Sequence, residues 1–176
     1  MDIMGWEKQW KVIHDSVPAQ RIGDFEIEKN LKNISLIEHS GYKIIWMSVD
    51  GNEWCLYRSL PELVCGKVLI AGLGLGFDLL NVVDRDCVDE VVLVEKRQVI
   101  IDLVWPYIPH SKTTLVHQDV SEYLRDTKER FDVIYFDIFP GGHESQPDLA
   151  KQLVEVADSK LNPNGQVILW SEEVGE

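Results

Sequence analysis

The sequence is poor in basic residues and has no long apolar run. It carries 17 Lys and Arg against 30 Asp and Glu, which gives a formal net charge of −13. Because binding to nucleic-acid phosphates requires a basic surface, this balance argues against nucleic acid as a partner. No apolar run reaches the length of a membrane span, and the N-terminus lacks a signal-peptide pattern. We therefore expect a cytoplasmic protein that does not bind membranes.

Cysteine is scarce as well. Cys55, Cys65 and Cys87 form no CxxC pair, and the nearby histidines do not complete a zinc pattern. We expect no metal site, and we expect buried free thiols in a reducing compartment. The acidic surface suits a cationic substrate, but it also serves solubility, and composition alone does not separate the two.

The most informative stretch is an apolar segment that leads into closely spaced glycines. Val68–Ala71 is continuously apolar, which is typical of a strand covered on both faces in a parallel sheet. Gly72, Gly74 and Gly76 follow at alternate positions, where a backbone without Cβ atoms can turn sharply and approach a ligand. The pattern predicts a strand, a glycine-rich turn and then a helix.

A second apolar segment, Val91–Val94, ends in a carboxylate, Glu95. In nucleotide-binding β–α–β units an acid about 20 residues beyond the glycines accepts hydrogen bonds from ribose hydroxyls. The structural alternative is that the glycines form an ordinary tight turn and that Glu95 is a solvated strand end. The complete order of strand, glycines, helix, strand and acid favours a nucleotide site.

The first 60 residues have a different pattern. Trp6, Trp10 and Ile13 are spaced for a short amphipathic helix that ends before Pro18. Three or four antiparallel strands are expected after it, the last around Glu53–Arg58, and Asp50-Gly51 marks a hairpin between apolar runs. We expect residues 1–60 to form an N-terminal helix and β-hairpin extension.

From residue 61 to residue 176, apolar strand patterns alternate with helical ones, and Asn162–Gly165 is expected to form a turn before a final strand. This alternation predicts an α/β fold, a Rossmann-like, doubly wound and mostly parallel sheet, with the antiparallel extension ahead of it. Ligands of such sheets bind beyond the carboxyl ends of the strands. Asp119 and Asp137 each follow a predicted strand, so we expect them to converge with the glycine turn and Glu95.

These segments resemble the class I S-adenosylmethionine-dependent methyltransferases. The resemblance is carried by Val68–Gly76, Val91–Glu95, Gln118-Asp119, Phe131–Asp137 and Leu161–Gly165. It implies that S-adenosylmethionine is the cofactor, that the acids at 95 and 119 contact its ribose and adenine, and that the missing C-terminal antiparallel pair shortens the fold. The cofactor-binding residues that it implies are Gly72, Leu73, Gly74, Gly76, Glu95, Lys96, Asp119 and Val120.

Two branches of this superfamily are similar to the chain. The spermidine synthase group also has an N-terminal β-domain, and Ser48–Gly51 resembles its hairpin. The glycine run of that group contains an acid, which is absent from Gly72–Phe77. Its Asp-x-x-Asp-Pro element is missing as well, since Asp137–Pro140 reads Asp-Ile-Phe-Pro. Guanidinoacetate methyltransferase has a Tyr-Asp-Thr-Tyr-Pro element that resembles Phe136–Pro140, and there the acid matching Asp137 holds guanidino nitrogens.

The sequence therefore predicts catalytic roles for Asp137 and His143, and substrate contacts from Asp50, Glu53 and Asp137. A carboxylate at 137 would orient a cationic amine or guanidinium and accept its proton. His143 lies on a glycine-containing loop that could instead be a solvated surface loop. Turn chemistry is an equal alternative for Asp50 and Glu53.

We expect first a small-molecule N-methyltransferase that acts on an amino or guanidino nitrogen. The alternatives are a spermidine synthase-like aminopropyltransferase and a non-catalytic cofactor-binding or assembly protein on the same fold. Because an uncovered sheet edge is an aggregation hazard, we also expect a homodimer, or the N-terminal hairpins, to cover exposed surface.

Overall fold

The computed structural model describes residues 5–49, 64–139 and 142–170. The first of these ranges holds one helix and an antiparallel four-stranded sheet in the order β1-β2-β3-β4. Its elements are α1 (Gly5–Ser16), β1 (Gln20–Ile22), β2 (Phe25–Lys29), β3 (Ile34–His39) and β4 (Lys43–Val49).

The second sheet has five parallel strands in the order β7-β6-β5-β8-β9. The strand order reverses next to β5, whose neighbours are β6 and β8. The predicted α/β fold class is confirmed. The strands are β5 (Gly66–Ala71), β6 (Val88–Glu95), β7 (Thr113–His117), β8 (Phe131–Phe136) and β9 (Leu161–Leu169). The helices between them are α2 (Phe77–Val83), α3 (Gln98–Val104), α4 (Val120–Asp126) and α5 (Pro147–Asp158), and short 3-10 turns cover Trp105–Tyr107 and His143–Ser145.

The apolar runs become strands because both faces of the parallel sheet are covered. Val68–Ala71 and Val91–Val94 are almost completely buried, as a central parallel strand requires. The N-terminal sheet packs into the same core, where Ile27, Leu36 and Met47 join side chains of β5. The two sheets therefore share one apolar core. None of the helices in the described ranges is long and apolar enough to cross a membrane.

The structure confirms some predictions made from local sequence patterns and corrects one, and others lie outside the described residues. The predicted N-terminal helix is confirmed as α1, and four antiparallel strands follow it. The Asp50-Gly51 hairpin and a further strand predicted for residues 53–58 lie outside the described residues, as do Asp50 and Glu53. The predicted turn at 162–165 instead lies within β9, where the register with β8 shifts and Asn164 takes a positive φ of 68°.

The expectation of free thiols is wrong for two of the cysteines. Cys65 and Cys87 form a disulfide, with their Cα atoms 5.0 Å apart. Parallel pairing brings them together, because they directly precede Gly66 and Val88, the first paired residues of β5 and β6. Their sequence separation of 22 residues carried no local signal of this pairing.

Replacement of both cysteines, Cys65→Ser with Cys87→Ser, should lower the free energy of unfolding by about 3 kcal/mol, because the disulfide closes a loop in the unfolded chain. Urea unfolding of wild type and double variant measures the loss. A reductant should destabilise the wild type and leave the double variant unchanged. Equal unfolding midpoints for the two oxidised proteins would contradict a stabilising disulfide.

Candidate functional site

A cavity of about 550 Å³ opens at the carboxyl ends of the parallel strands. The first strands of the parallel sheet line one side, and β4 of the N-terminal sheet lines another. The cavity brings together seven of the residues predicted from sequence, namely Gly72, Gly74, Glu95, Lys96, Asp119, Val120 and Asp137. It therefore lies where the parallel-sheet rule placed it.

The glycine turn is shaped so that side chains are excluded from it. Gly72 has a φ of 100°, and a Cβ there would lie 2.4 Å from the carbonyl oxygen of Asp137. Gly74 has a φ of 49°, and its Cβ would lie 2.7 Å from the Sδ of Met47. Both positions need glycine for space and for backbone conformation. The bare main chain of the turn thus faces the cavity.

Glu95 connects this turn to the end of β6. Its Oε2 accepts a hydrogen bond from the Leu73 N–H at 2.9 Å, and its Oε1 accepts one from the Arg97 N–H at 2.8 Å. The residue is only 5% exposed, so these bonds offset part of the cost of burying its charge. A carboxylate offers about four acceptor positions, and two main-chain bonds do not exhaust them. Glu95 can therefore also bind hydroxyl groups in the cavity.

Asp119 begins helix α4 and serves as its N-cap. Its Oδ1 accepts hydrogen bonds from the backbone N–H of Ser121 at 2.8 Å and from the Ser121 hydroxyl at 2.6 Å. The bond from the Ser121 hydroxyl is the main cause that holds the pKa of Asp119 below its usual value, against a smaller opposing effect of burial. The positive charge of Lys96 acts in the same direction as the bond. Asp119 is thus a carboxylate at neutral pH.

Asp137 directly follows β8 and is half-buried at the cavity. Its N–H donates to the carbonyl of Ala71 at 3.0 Å, which continues the pairing of β5 with β8. The same pairing places its carbonyl against Gly72. Asp137 therefore lines the cavity with its main chain directly beside the glycine turn.

The three remaining predicted residues within the described ranges contribute differently. Leu73 is buried and acts through its N–H, which Glu95 accepts. Gly76 precedes α2, and a Cβ there would meet Ile108 Cδ1 at 2.4 Å, so its role is close packing. His143 does not line the cavity. Its Nδ1 lies 2.9 Å from the Trp170 carbonyl, so the structure does not bring this ring to the other predicted residues.

Sequence reasoning missed the contribution of the N-terminal sheet. Trp46 lines the cavity, and the Arg97 guanidinium lies 4.4 Å from the centre of its ring. Glu38 Oε2 accepts bonds from Trp46 Nε1 at 2.8 Å and from Arg97 Nη1 at 3.1 Å. Burial raises the pKa of Glu38, but these two bonds, a bond from Ser40 and the charge of Arg97 together leave the pKa below its ordinary value. The sequence signal that could have pointed to Arg97 was its position two residues after Glu95.

Glu95→Gln should weaken binding of an adenosine ligand such as methylthioadenosine by about 1–3 kcal/mol, since an amide NH₂ would face a main-chain N–H that needs an acceptor. Isothermal titration calorimetry measures this change. Glu90→Gln is the matched control, because Glu90 lies on the same strand and pairs with Lys67. Equal affinity of Glu95→Gln and wild type would remove Glu95 from the binding site.

Asp119→Ala should lower the free energy of unfolding at pH 7 by about 1 kcal/mol through loss of the N-cap. The native-state pKa of Asp119 is lowered, so its contribution is complete above the usual value of 3.8 and is lost as the pH falls through the native-state value. Urea unfolding at pH 7 and at pH 3 should show the difference from wild type shrinking with acid. Asp126→Ala, at the exposed end of the same helix, is the control. A difference that does not change with pH would contradict this assignment.

Comparison with known proteins adds a family to this geometry. The family model described as spermine/spermidine synthase domain matches residues 62–175. A polyamine aminopropyltransferase of Thermococcus kodakarensis is 29% identical over 112 residues, which are 56% of this chain and 39% of the relative. The chain thus spans about two fifths of the length of that protein.

Solved structures show a similar fold. Spermidine synthase from Thermotoga maritima superimposes with a TM-score of 0.54 at 18% identity, over 84% of this chain and 53% of that one. The Podospora anserina methyltransferase PaMTH1, solved with S-adenosylhomocysteine, has a TM-score of 0.53 at 18% identity, over 69% and 53%. At such identities the likeness concerns the fold alone.

The family model therefore confirms the predicted resemblance to the spermidine synthase group, and the likeness to methyltransferases is one of fold. The match begins just before β5 and includes the glycine turn and all three carboxylates of the cavity. It covers more than half of the chain. The chain accordingly belongs to the spermine/spermidine synthase domain family.

Proposed function

We propose that this chain transfers an alkyl group from an S-adenosyl sulfonium donor to the nitrogen of a small amine, and that the group is aminopropyl. The observation that carries the proposal is one cavity that is lined both by the glycine turn and by three acidic residues, Glu95, Asp119 and Asp137. Family membership supports aminopropyl transfer better than the methyl transfer that the sequence placed first.

The residues of the cavity fit such a donor. Gly72 and Gly74 line the cavity, so its amino-acid or aminopropyl portion could lie against their main chain. Glu95 has acceptor capacity for ribose hydroxyls, and Asp119 with Val120 would hold the adenine ring between a polar and an apolar group. Bound there, the donor supplies an electrophilic carbon attached to a positively charged sulfur.

Asp137 is suited to act on the acceptor. Its place beside Gly72 puts a carboxylate close to the donor cradle, where it would orient a cationic amine by charge-assisted hydrogen bonds. It would also accept a proton from the amine and so expose the nitrogen lone pair. In the reaction the new C–N bond forms as the C–S bond breaks. Alignment of the two partners supplies much of the rate enhancement.

One observation favours methyl transfer as a second candidate. Leu75 stands within the glycine turn, where the resembling aminopropyltransferases carry an acid. It is fully buried, and its N–H donates to the Met47 Sδ at 3.2 Å. A turn without a negative charge does not repel the carboxylate of intact S-adenosylmethionine, so the carboxylated donor remains a candidate.

Calorimetry with S-adenosylmethionine and with its decarboxylated form decides between the two reactions. We expect tighter binding of the decarboxylated form and, with a diamine present, a product that mass spectrometry shows to be heavier by one aminopropyl group. Asp137→Asn should reduce turnover by at least about 100-fold through loss of the proton acceptor. Asp102→Asn, an exposed acid on α3, is the control.

Tighter binding of the carboxylated donor, with a methylated product, would replace aminopropyl by methyl transfer. Binding without turnover for any amine would favour a non-catalytic protein that binds the nucleoside. If neither donor binds, both transferase assignments are wrong.

A further inference from the structure

We infer that Arg97 is a positioning residue that joins the N-terminal sheet to the ribose-binding carboxylate, so that the sheet controls nucleoside affinity. The inference rests on the proposed function, because it assigns Glu95 to the nucleoside. Arg97 contacts Glu95 through its backbone and the N-terminal sheet through its side chain.

The backbone of Arg97 belongs to the nucleoside side of the cavity. Its N–H donates to Glu95 Oε1 at 2.8 Å, while Glu95 Oε2 accepts from Leu73 in the glycine turn. Arg97 is also the N-cap of α3, and its carbonyl accepts from the N–H of Ile100 at 3.0 Å. A shift of Arg97 would therefore move the carboxylate, the turn and the start of α3 together.

The side chain of Arg97 belongs to the N-terminal sheet. Its guanidinium contacts one residue from each of three strands there, namely Phe25 on β2, Glu38 on β3 and Trp46 on β4. The ring centres of Phe25 and Trp46 lie 5.1 and 4.4 Å from Cζ, and Glu38 Oε2 lies 3.1 Å from Nη1. The side chains of Arg97 and Glu38 are 30% and 16% exposed, so water only partly screens the pair. Such a set of contacts needs a planar cation that can stack and donate at once.

A second contact places the same sheet against the same turn. Met47 Sδ on β4 accepts the Leu75 N–H at 3.2 Å and occupies the space beside Gly74. The sheet thus meets the glycine turn directly through Met47 and indirectly through Arg97 and Glu95. Loss of the Arg97 side chain would leave one of these two connections, and the position of the Glu95 carboxylate would be less well fixed.

The test compares Arg97→Met and Glu38→Gln with Lys43→Met. Lys43 is the matched control, because its ion pair with Glu28 on the same sheet has the same N–O distance of 3.1 Å but does not border the cavity. We expect Arg97→Met and Glu38→Gln each to raise the Kd for methylthioadenosine about 10-fold, the effect of one lost charge-assisted bond. Lys43→Met should leave the Kd within about twofold of the wild-type value.

A double-mutant cycle separates positioning from general destabilisation. Arg97→Met combined with Glu38→Gln should bind no more weakly than the weaker single variant, because both remove the same link. Thermal unfolding of each variant shows whether a loss of affinity is accompanied by a loss of stability. Unchanged affinity in Arg97→Met would overturn the inference. An equal fall in affinity in Lys43→Met, with an equal loss of stability, would overturn it as well.

Hydrogen exchange gives a readout that needs no ligand. The amides of Leu73 and Arg97 donate to Glu95, so Arg97→Met should speed their exchange several-fold, while Lys43→Met should not. Unchanged exchange would show that Arg97 does not hold the carboxylate. If wild type fails to bind methylthioadenosine while exchange responds as expected, the proposed function fails and the structural link through Arg97 stands.

Discussion

The buried carboxylate of Glu95 is the group on which the cavity depends. It is almost completely shielded from water and accepts one main-chain N–H from the glycine turn and one from the start of α3. A buried charge is tolerated only when hydrogen bonds compensate for its lost hydration. The two segments that donate these bonds are therefore held in fixed positions around it. The shape of the cavity between β5 and β6 follows from that requirement.

The N-terminal sheet is part of the same arrangement. It shares the apolar core with the parallel sheet, and Met47 fills the space that a side chain at position 74 would need. Its strands also receive the guanidinium of Arg97, whose backbone binds Glu95. The cavity is consequently built from both sheets, and neither sheet alone would enclose it. An extension that appears separate in sequence is structurally part of the site.

Sequence patterns predicted the parts of this structure that local chemistry determines. The apolar runs at Val68–Ala71 and Val91–Val94, the alternate glycines and the acid at 95 are signals within short segments, and parallel-sheet geometry then brings them to one edge. The contact of Arg97 with Glu38 joins residues 59 positions apart, and the Cys65–Cys87 disulfide depends on strand register. No periodicity encodes such pairings. His143 was assigned from its neighbours in sequence, but its ring points to the Trp170 carbonyl.

The pairing of β5 with β8 fixes one part of the cavity. Ala71 pairs with Phe136, so Gly72 and Asp137 emerge side by side with no loop between them. The spacing between the main chain of Gly72 and that of Asp137 is therefore set by strand register, which a side-chain substitution does not alter. Side chains of β4, among them Trp46 and Met47, line the same cavity, and substitution can alter them without changing that register. The part of the cavity wall that substitution can reshape therefore includes the N-terminal sheet.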